Sequence, residues 1–367
     1  MLALAALSAR ALAGWAAADG TPAVALDVFG DADTRAAARA WRAIGSASPP
    51  AIDGARLLAE LRALADRGEA EAWVAGSGFE AAPALLMRAA AVLPLLGTAP
   101  ADQARLADAP AFFAALDRCG IAHPPVVFAP PAGGGWLRKQ ARSAGGWGLT
   151  RRRDAAPGAY WQRERAGTPV SASFVANADR AVVLGLNRQA TVEVGEHPFV
   201  FAGVCGPLDW PAVLTQAEHA LAVLVPAYRL RGLGSLDFIV GADGVAELLE
   251  VNARPSASAA LYPDIGGRSP LHAHLQACRH GVLPAPPRGP ARGLRIVHAR
   301  RALALDGAAA ERIAAWPGAA DLPPAGARFA PGEPVCTLEA AGADAAAVEA
   351  GLVRAEQDLL HSLETPR

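Results

Sequence analysis

Lysine is almost absent from this chain. Of its 34 basic residues, Lys139 is the only lysine and all the others are arginine. Cysteine is sparse too: Cys119, Cys205, Cys278 and Cys336 are scattered, with no C-x-x-C pair. That argues against a cysteine zinc site or a disulfide framework and points to a reducing compartment, the cytoplasm. Neither sign of charge is in excess, since 34 basic and 35 acidic residues leave a net charge of −1. Such a balance gives no electrostatic footprint for nucleic acid or an anionic membrane. No apolar run has the length and purity of a membrane span. No G-x-G-x-x-G follows the first apolar strand, so no dinucleotide site is expected there. The opening run, residues 1–7, has no basic residue ahead of it and is ended by Arg10. It reads as a strand followed by a helix, N-capped by Ser8 and closed by Gly20, rather than as a secretory leader.

What is present is largely apolar. A hydrophobic fraction of 52% over 367 residues describes a well-buried globular protein of two or three domains. Early in the chain, short apolar runs (residues 24–26 and 73–75) alternate with Ala-rich helices, an α/β pattern with a parallel sheet. Asp27, Asp31 and Asp33 follow the first of these runs. A solvated loop is expected there, with ligand duty as the alternative. A helix is expected near residues 109–119, strands at 126–128, 160–164, 170–176 and 181–188, and a helix at 216–228. Residues 283–293, rich in Pro, Gly and Arg, read as a linker to a β-rich tail, which residues 351–363 close as an amphipathic helix.

Lys139 stands in the run Trp136-Leu137-Arg138-Lys139-Gln140, just before Ser143-Ala144-Gly145-Gly146-Trp147-Gly148. A composition that writes arginine wherever a positive charge suffices has kept lysine here. Arginine is a wide planar fork, whereas lysine is a compact charge on a thin stem that enters a narrow phosphate site. The glycines let backbone N–H groups approach an anion. The joint reading is a nucleotide phosphate clamp; a surface lysine before an ordinary glycine turn is the alternative.

Further along, Asp243-Gly244 lies between two apolar runs and forms a favoured two-residue hairpin turn. A two-residue loop sets Val240 opposite Glu247 and Asp237 opposite Glu250, Cβ atoms ~5 Å apart on one sheet face. Asn252 shares that face by the period of two. Carboxylates so placed repel, and a hard divalent cation, Mg²⁺ above all, resolves the conflict by taking oxygens from both acids and the amide. Arg254 follows and suits a transferred phosphoryl or acyl-phosphate group. An exposed hairpin with acids on its wet face is the alternative.

Together, the lysine strand with its glycine loop and the run Glu250-Val251-Asn252-Ala253-Arg254-Pro255 resemble the ATP-grasp superfamily. Ala253 stands where that superfamily usually has proline. The resemblance implies an α/β (α+β) ATP-grasp fold. It divides the chain into a Rossmann-like pre-domain (1–104), a nucleotide-binding and catalytic domain (105–282), and a small C-terminal β-rich module (283–367). It implies that Lys139 contacts the ATP phosphates beneath a flap containing Ser143, Gly145, Gly146 and Gly148. Gln162 and Glu164 would meet adenine and ribose. Asp237, Glu250 and Asn252 would bind Mg²⁺, with Mn²⁺ as a substitute. Lys139 and Arg254 would be catalytic. A second lysine usual in the superfamily is missing, and Arg105 is the candidate stand-in.

The C-terminal run around Gly332-Glu333-Pro334-Val335-Cys336-Thr337 is similar to a module of biotin-carboxylase-related carboxylate–amine ligases, of the tyramine–glutamate ligase kind. That likeness implies an acyl phosphate that an amine then attacks, in the biosynthesis of a one-carbon-carrier cofactor of methanofuran or methanopterin type. Small-molecule carboxylate and amine partners follow, with the oligomer left open between monomer and homodimer. Arg188 and Arg231 are candidate carboxylate binders, and His197 is a candidate base with a structural role as its alternative. Cys205 reads as packing. A kinase-like or nucleotide-gated binding protein stays open as a different class. A fused biotin-carrying domain is excluded, because no Met-Lys-Met motif is present.

Overall fold

The computed structural model describes residues 1–47, 50–140 and 143–364. The early apolar runs build a parallel sheet, as expected: Ala40–Ala43, Ala23–Asp27, Leu2–Ala5 and Ala72–Ala75 lie side by side in that order. The three strands other than Ala40–Ala43 are buried along their whole length, so they read as continuous apolar runs without alternation. The first helix is Arg10–Ala18, and Gly20 at φ +65° ends it. Ala9, not Ser8, stands at the N-cap position, and Ser8 Oγ accepts the Arg10 N–H only at 3.4 Å. Asp27 Oδ2 instead accepts the Ala9 N–H at 3.0 Å, so a buried acid from the neighbouring strand supplies the cap.

The core of the molecule is one eight-stranded antiparallel sheet. Its order is Ala246–Asn252, Arg231–Val240, Thr168–Asn177, Ala181–Val194, His197–Gly206, Ala291–His298, Pro334–Gly342 and Ala319–Ala320. One face packs Val170, Ala172, Phe174, Leu236, Phe238 and Leu248 against helix Pro211–Tyr228. Each large apolar side chain buried in this way stabilises by ~1.5–3 kcal/mol. The C-terminal segment adds three strands to this same sheet, pairs Leu303–Ala304 with Arg328–Phe329 separately, and packs a further core of Val297, Ile313, Leu338 and Leu359. The strand His197–Gly206 has no counterpart in the sequence expectations, because Pro198 and Gly203 interrupt its pattern.

A small four-stranded antiparallel sheet stands apart, in the order Val126–Val127, Ala159–Arg163, Trp136–Gln140 and Leu149–Thr150. It carries Lys139. Among the described residues, no helix is long and apolar enough to cross a membrane.

Candidate active site

Asp237 does face Glu250, but by a different route from the one the turn predicts. Strand pairing ends at Val240–Ala246, and Gly241 N–H donates to the Val245 carbonyl at 3.0 Å. The loop is therefore the three residues Ala242, Asp243 and Gly244, with Gly244 at φ +77°. This moves the register by one, and Val240 faces Ala246 instead of Glu247. A bulge between Asp237/Phe238 and the partner strand restores it, so that Asp237 pairs with Glu250 and Ser235 with Asn252. A bulge re-aims the side chains beside it. Here it turns both acids and the amide to one face.

The three groups converge. Asn252 Nδ2 donates to Asp237 Oδ2 at 3.0 Å and to Glu250 Oε1 at 3.4 Å. Asp237 Oδ1 is shut off from solvent with no hydrogen-bond partner among the described residues. Burial, then the Glu250 charge, push the Asp237 carboxyl well above the usual carboxylate range, against Gln189, Arg254 and Lys139. An orphaned, buried carboxylate oxygen beside a second acid fits a hard divalent cation. The amide fits less directly: its nitrogen faces the acids and its oxygen accepts from Arg254 Nη2 at 3.3 Å. It would have to turn over to add an oxygen ligand. Among the described residues no group of three or more His, Cys, Asp or Glu is placed to hold a metal, so this site rests on two carboxylates.

Lys139 faces these acids from the small sheet. It pairs with Tyr160, while Leu137 pairs with Gln162, which puts all four on one face. Lys139 is buried, and its Nζ donates to Gln162 Oε1 at 3.2 Å. Burial disfavours the ammonium, but Tyr160, Glu250 and Asp237 outweigh it and hold its pKa above the ordinary value. Gln162 is itself buried, and its Nε2 has no partner among the described residues. Gln162 thus sits at the lysine. Glu164, just past the strand end, pairs instead with Arg151 at 2.8 Å.

The glycine loop is docked. Phe201 N–H donates to the Gly145 carbonyl at 2.9 Å, and Ser143 Oγ donates to the Gln140 carbonyl at 3.1 Å. Gly146, at φ +82°, lies so close to the central sheet that a Cβ would stand 1.9 Å from the Phe199 carbonyl oxygen. A Cβ on Gly148 would meet Ser143 Oγ at 1.9 Å. His197 packs edge-on against Trp147 and hydrogen-bonds through Nδ1 to the Leu149 carbonyl at 3.2 Å. Both contacts are to the glycine loop and the strand that follows it, in keeping with the structural alternative. Sequence reasoning expects little local packing from the Gly and Ser content of residues 142–148. Without its partner strand in view, that content gave no sign of the dock. Arg142 lies outside the described residues.

Arg254 is held from both sides. Its Nη2 meets Asn252 as above, its Nη1 donates to the Pro255 carbonyl at 3.3 Å, and its Nε donates to Glu80 Oε1. Glu80 belongs to the loop after strand Ala72–Ala75, and no sequence signal singles it out. Other candidates lie elsewhere. Arg188 pairs with Glu349 at 3.4 Å and, next to Asn187 on its strand, faces away from Asp237. Arg231 shares the face of Asp237 but begins the strand, roughly 20 Å away. Arg105 pairs with Asp102 at 3.0 Å and stacks over the Tyr228 ring. Cys205 is buried, in keeping with packing.

Asp27, Asp31 and Asp33 are not a solvated loop. Asp27 and Asp31 are buried. Asp27 Oδ1 accepts from Gly30 N–H at 2.9 Å and Trp41 Nε1 at 2.6 Å. Asp33 accepts the Asp321 and Leu322 N–H groups at 2.9 and 3.1 Å. Burial, then Asp321, Asp27 and Asp33, push the Asp31 carboxyl up to about 8, with Arg10 opposing.

Residues 125–258 match the family model of the ATP-grasp domain. No curated protein matches the chain. Among solved structures, a biotin carboxylase complex from Campylobacter jejuni is similar at TM-score 0.71 and 14% identity, over 99% of this chain and 95% of that one. An L-amino acid ligase from Bacillus licheniformis is similar at TM-score 0.68 and 14% identity, over 97% and 96%. N5-carboxyaminoimidazole ribonucleotide synthetase from Thermotoga maritima is similar at 0.66 and 11%, over 97% of each chain. These likenesses are of fold, and they span nearly the whole of this chain.

Proposed function

We propose that this chain, whose residues 125–258 carry an ATP-grasp domain, is an ATP- and Mg²⁺-dependent carboxylate–amine ligase. One observation carries the reading. A buried lysine on one sheet and a buried, unpartnered carboxylate oxygen on another face each other across one site. Lys139 and the acid pair act on one another without forming a salt bridge among the described residues, an arrangement that suits a ligand with both anionic oxygens and its own cation. A metal–nucleotide polyphosphate is such a ligand.

Lys139 binds phosphate oxygens as a point charge, oriented by Gln162. Asp237 and Glu250 would hold Mg²⁺, which would supply neutralisation of phosphate charge. The substrate carboxylate attacks the γ-phosphate, forming an acyl phosphate as the bond to ADP breaks, while Arg254 steadies the transferred phosphoryl group. The amine then attacks the acyl carbon of the acyl phosphate, the C–O bond to phosphate breaks, and phosphate leaves with the amide formed. Positioning and charge stabilisation supply most of the acceleration. The finer reading, assembly of a one-carbon-carrier cofactor, rests on the likeness of the C-terminal run to the biotin-carboxylase-related ligases. The test is an ADP-release screen with acids and amines offered in pairs. ADP release that requires both supports ligation. Release with one hydroxyl acceptor and no amine supports a kinase instead.

A further inference from the structure

Glu80 lies 174 residues from Arg254 in sequence and in a different part of the fold, yet its carboxylate is the partner of the Arg254 Nε–H. Its other oxygen accepts the Gly78 N–H at 2.8 Å. The loop that carries it is wedged at the strand ends: Gly78 adopts φ +110°, and a Cβ there would stand 2.7 Å from Leu7. The carboxylate is therefore fixed by its own backbone before it meets the arginine. Burial would raise the Glu80 pKa, but the Arg254 charge and the N–H groups of Glu80 and Gly78 hold it below the ordinary value, so it stays an anion in the folded chain.

Arginine has five N–H donors in a planar fork. Glu80 takes the one on Nε, Asn252 takes one on Nη2, and Pro255 takes one on Nη1. One N–H remains on each terminal nitrogen. These two are the donors left for the oxygens of a phosphoryl group. Without Glu80 the guanidinium would keep only its contacts to Asn252 and Pro255, and its orientation would loosen.

We propose that Glu80 is a positioning residue: the N-terminal parallel sheet supplies it to aim Arg254 at the phosphoryl group leaving the nucleotide. The inference rests on the ligase reading above. The two sheets then form one composite site, in which the contact to Arg254 Nε–H comes from outside residues 125–258 and those of Asn252 and Pro255 come from within them.

The test uses Mg-ADP and inorganic phosphate as probes with the full chain. Mg-ADP affinity and phosphate affinity in the presence of saturating Mg-ADP are measured for wild type, Glu80→Gln, Glu80→Ala, Arg254→Ala and the Glu80→Ala/Arg254→Ala double variant. Glu80→Ala is expected to keep Mg-ADP affinity within about twofold and to weaken phosphate binding by about tenfold, in line with losing one arm of a charge-assisted pair. Glu80→Gln, which still offers an oxygen to Nε–H, is expected to lose less. The double variant is expected to bind phosphate no worse than Arg254→Ala. Unchanged phosphate affinity in Glu80→Ala, or losses that add in the double variant, overturns the proposal. If Glu80→Ala does not fold, an equal ranking of Glu80→Gln and wild type overturns it, and an intermediate loss supports it. A wild type that binds no Mg-ADP overturns the nucleotide reading itself, and this inference with it.

Discussion

Two groups of carboxylates in this molecule look alike in sequence and differ in what their oxygens do. At the ends of the parallel strands, Asp27 and Asp33 accept backbone and indole N–H groups. Asp27 ties together the N-terminal sheet and its first helix, and Asp33 joins that segment to the turn at Asp321. At the central sheet, Asp237 keeps a buried oxygen with no hydrogen-bond partner in range among the described residues, with Glu250 beside it and a buried lysine opposite. Residue type and spacing do not separate a structural acid from a ligand. The destination of each lone pair does.

The contrast is tested hardest at Glu250. Glu250→Gln is expected to lower turnover at least 100-fold, the scale of removing one preorganised electrostatic group. The metal-free protein should melt no lower than wild type, because a like-charge pair has been relieved. Added Mg-nucleotide should raise the melting temperature of wild type by mass action and of the variant much less. Equal shifts would place Asp237 and Glu250 in the structural class.

Lys139 sharpens the same point from the other side. Lys139→Arg should lose nearly as much nucleotide affinity as Lys139→Ala, about tenfold or more in each case. Titration of both variants with Mg-ATP decides it, and near-wild-type affinity for the arginine variant would sink the phosphate clamp.

The strand-end acids should show the reverse pattern. Asp33→Ala leaves the Asp321 and Leu322 N–H groups without their acceptor, which costs about 1–3 kcal/mol of stability. Mg-nucleotide affinity should stay as in wild type. Denaturant unfolding and nucleotide titration on the same sample check the two halves.

The smallest effect is in pH. The Asp31 carboxyl, at about 8, holds a proton in the folded chain that the unfolded chain gives up near the usual carboxylate value. Stability contributed by this group is full at low pH and is lost as pH rises towards 8. The melting temperature should fall by a few degrees over that range, and Asp31→Asn should flatten part of the fall. An unchanged slope would mean that Arg10 already neutralises the cluster.

Much of this was legible in the sequence, for unequal reasons. The parallel strands announce themselves because burial on both faces requires unbroken apolar runs. Lys139 stands out against an arginine background. The Asp237–Glu250 pairing was anticipated from a turn with the wrong loop length, and it survives because a bulge cancels the one-residue shift. The strand-end aspartates were misjudged, since nothing in their spacing reveals that backbone N–H groups await them. Glu80 was invisible because its partner is set by a packing of distant segments, and the dock of the glycine loop was hidden for the same reason.

The solitary, buried Lys139 also makes this chain a recorder of its own opening. A protease specific for lysine has a single bond to cut, between Lys139 and Gln140, and that bond lies inside a strand with its side chain turned inward. Cleavage must wait for the small sheet to come apart locally. The cutting rate then reads the free energy of that one opening, with no label introduced and no other site to confuse the count.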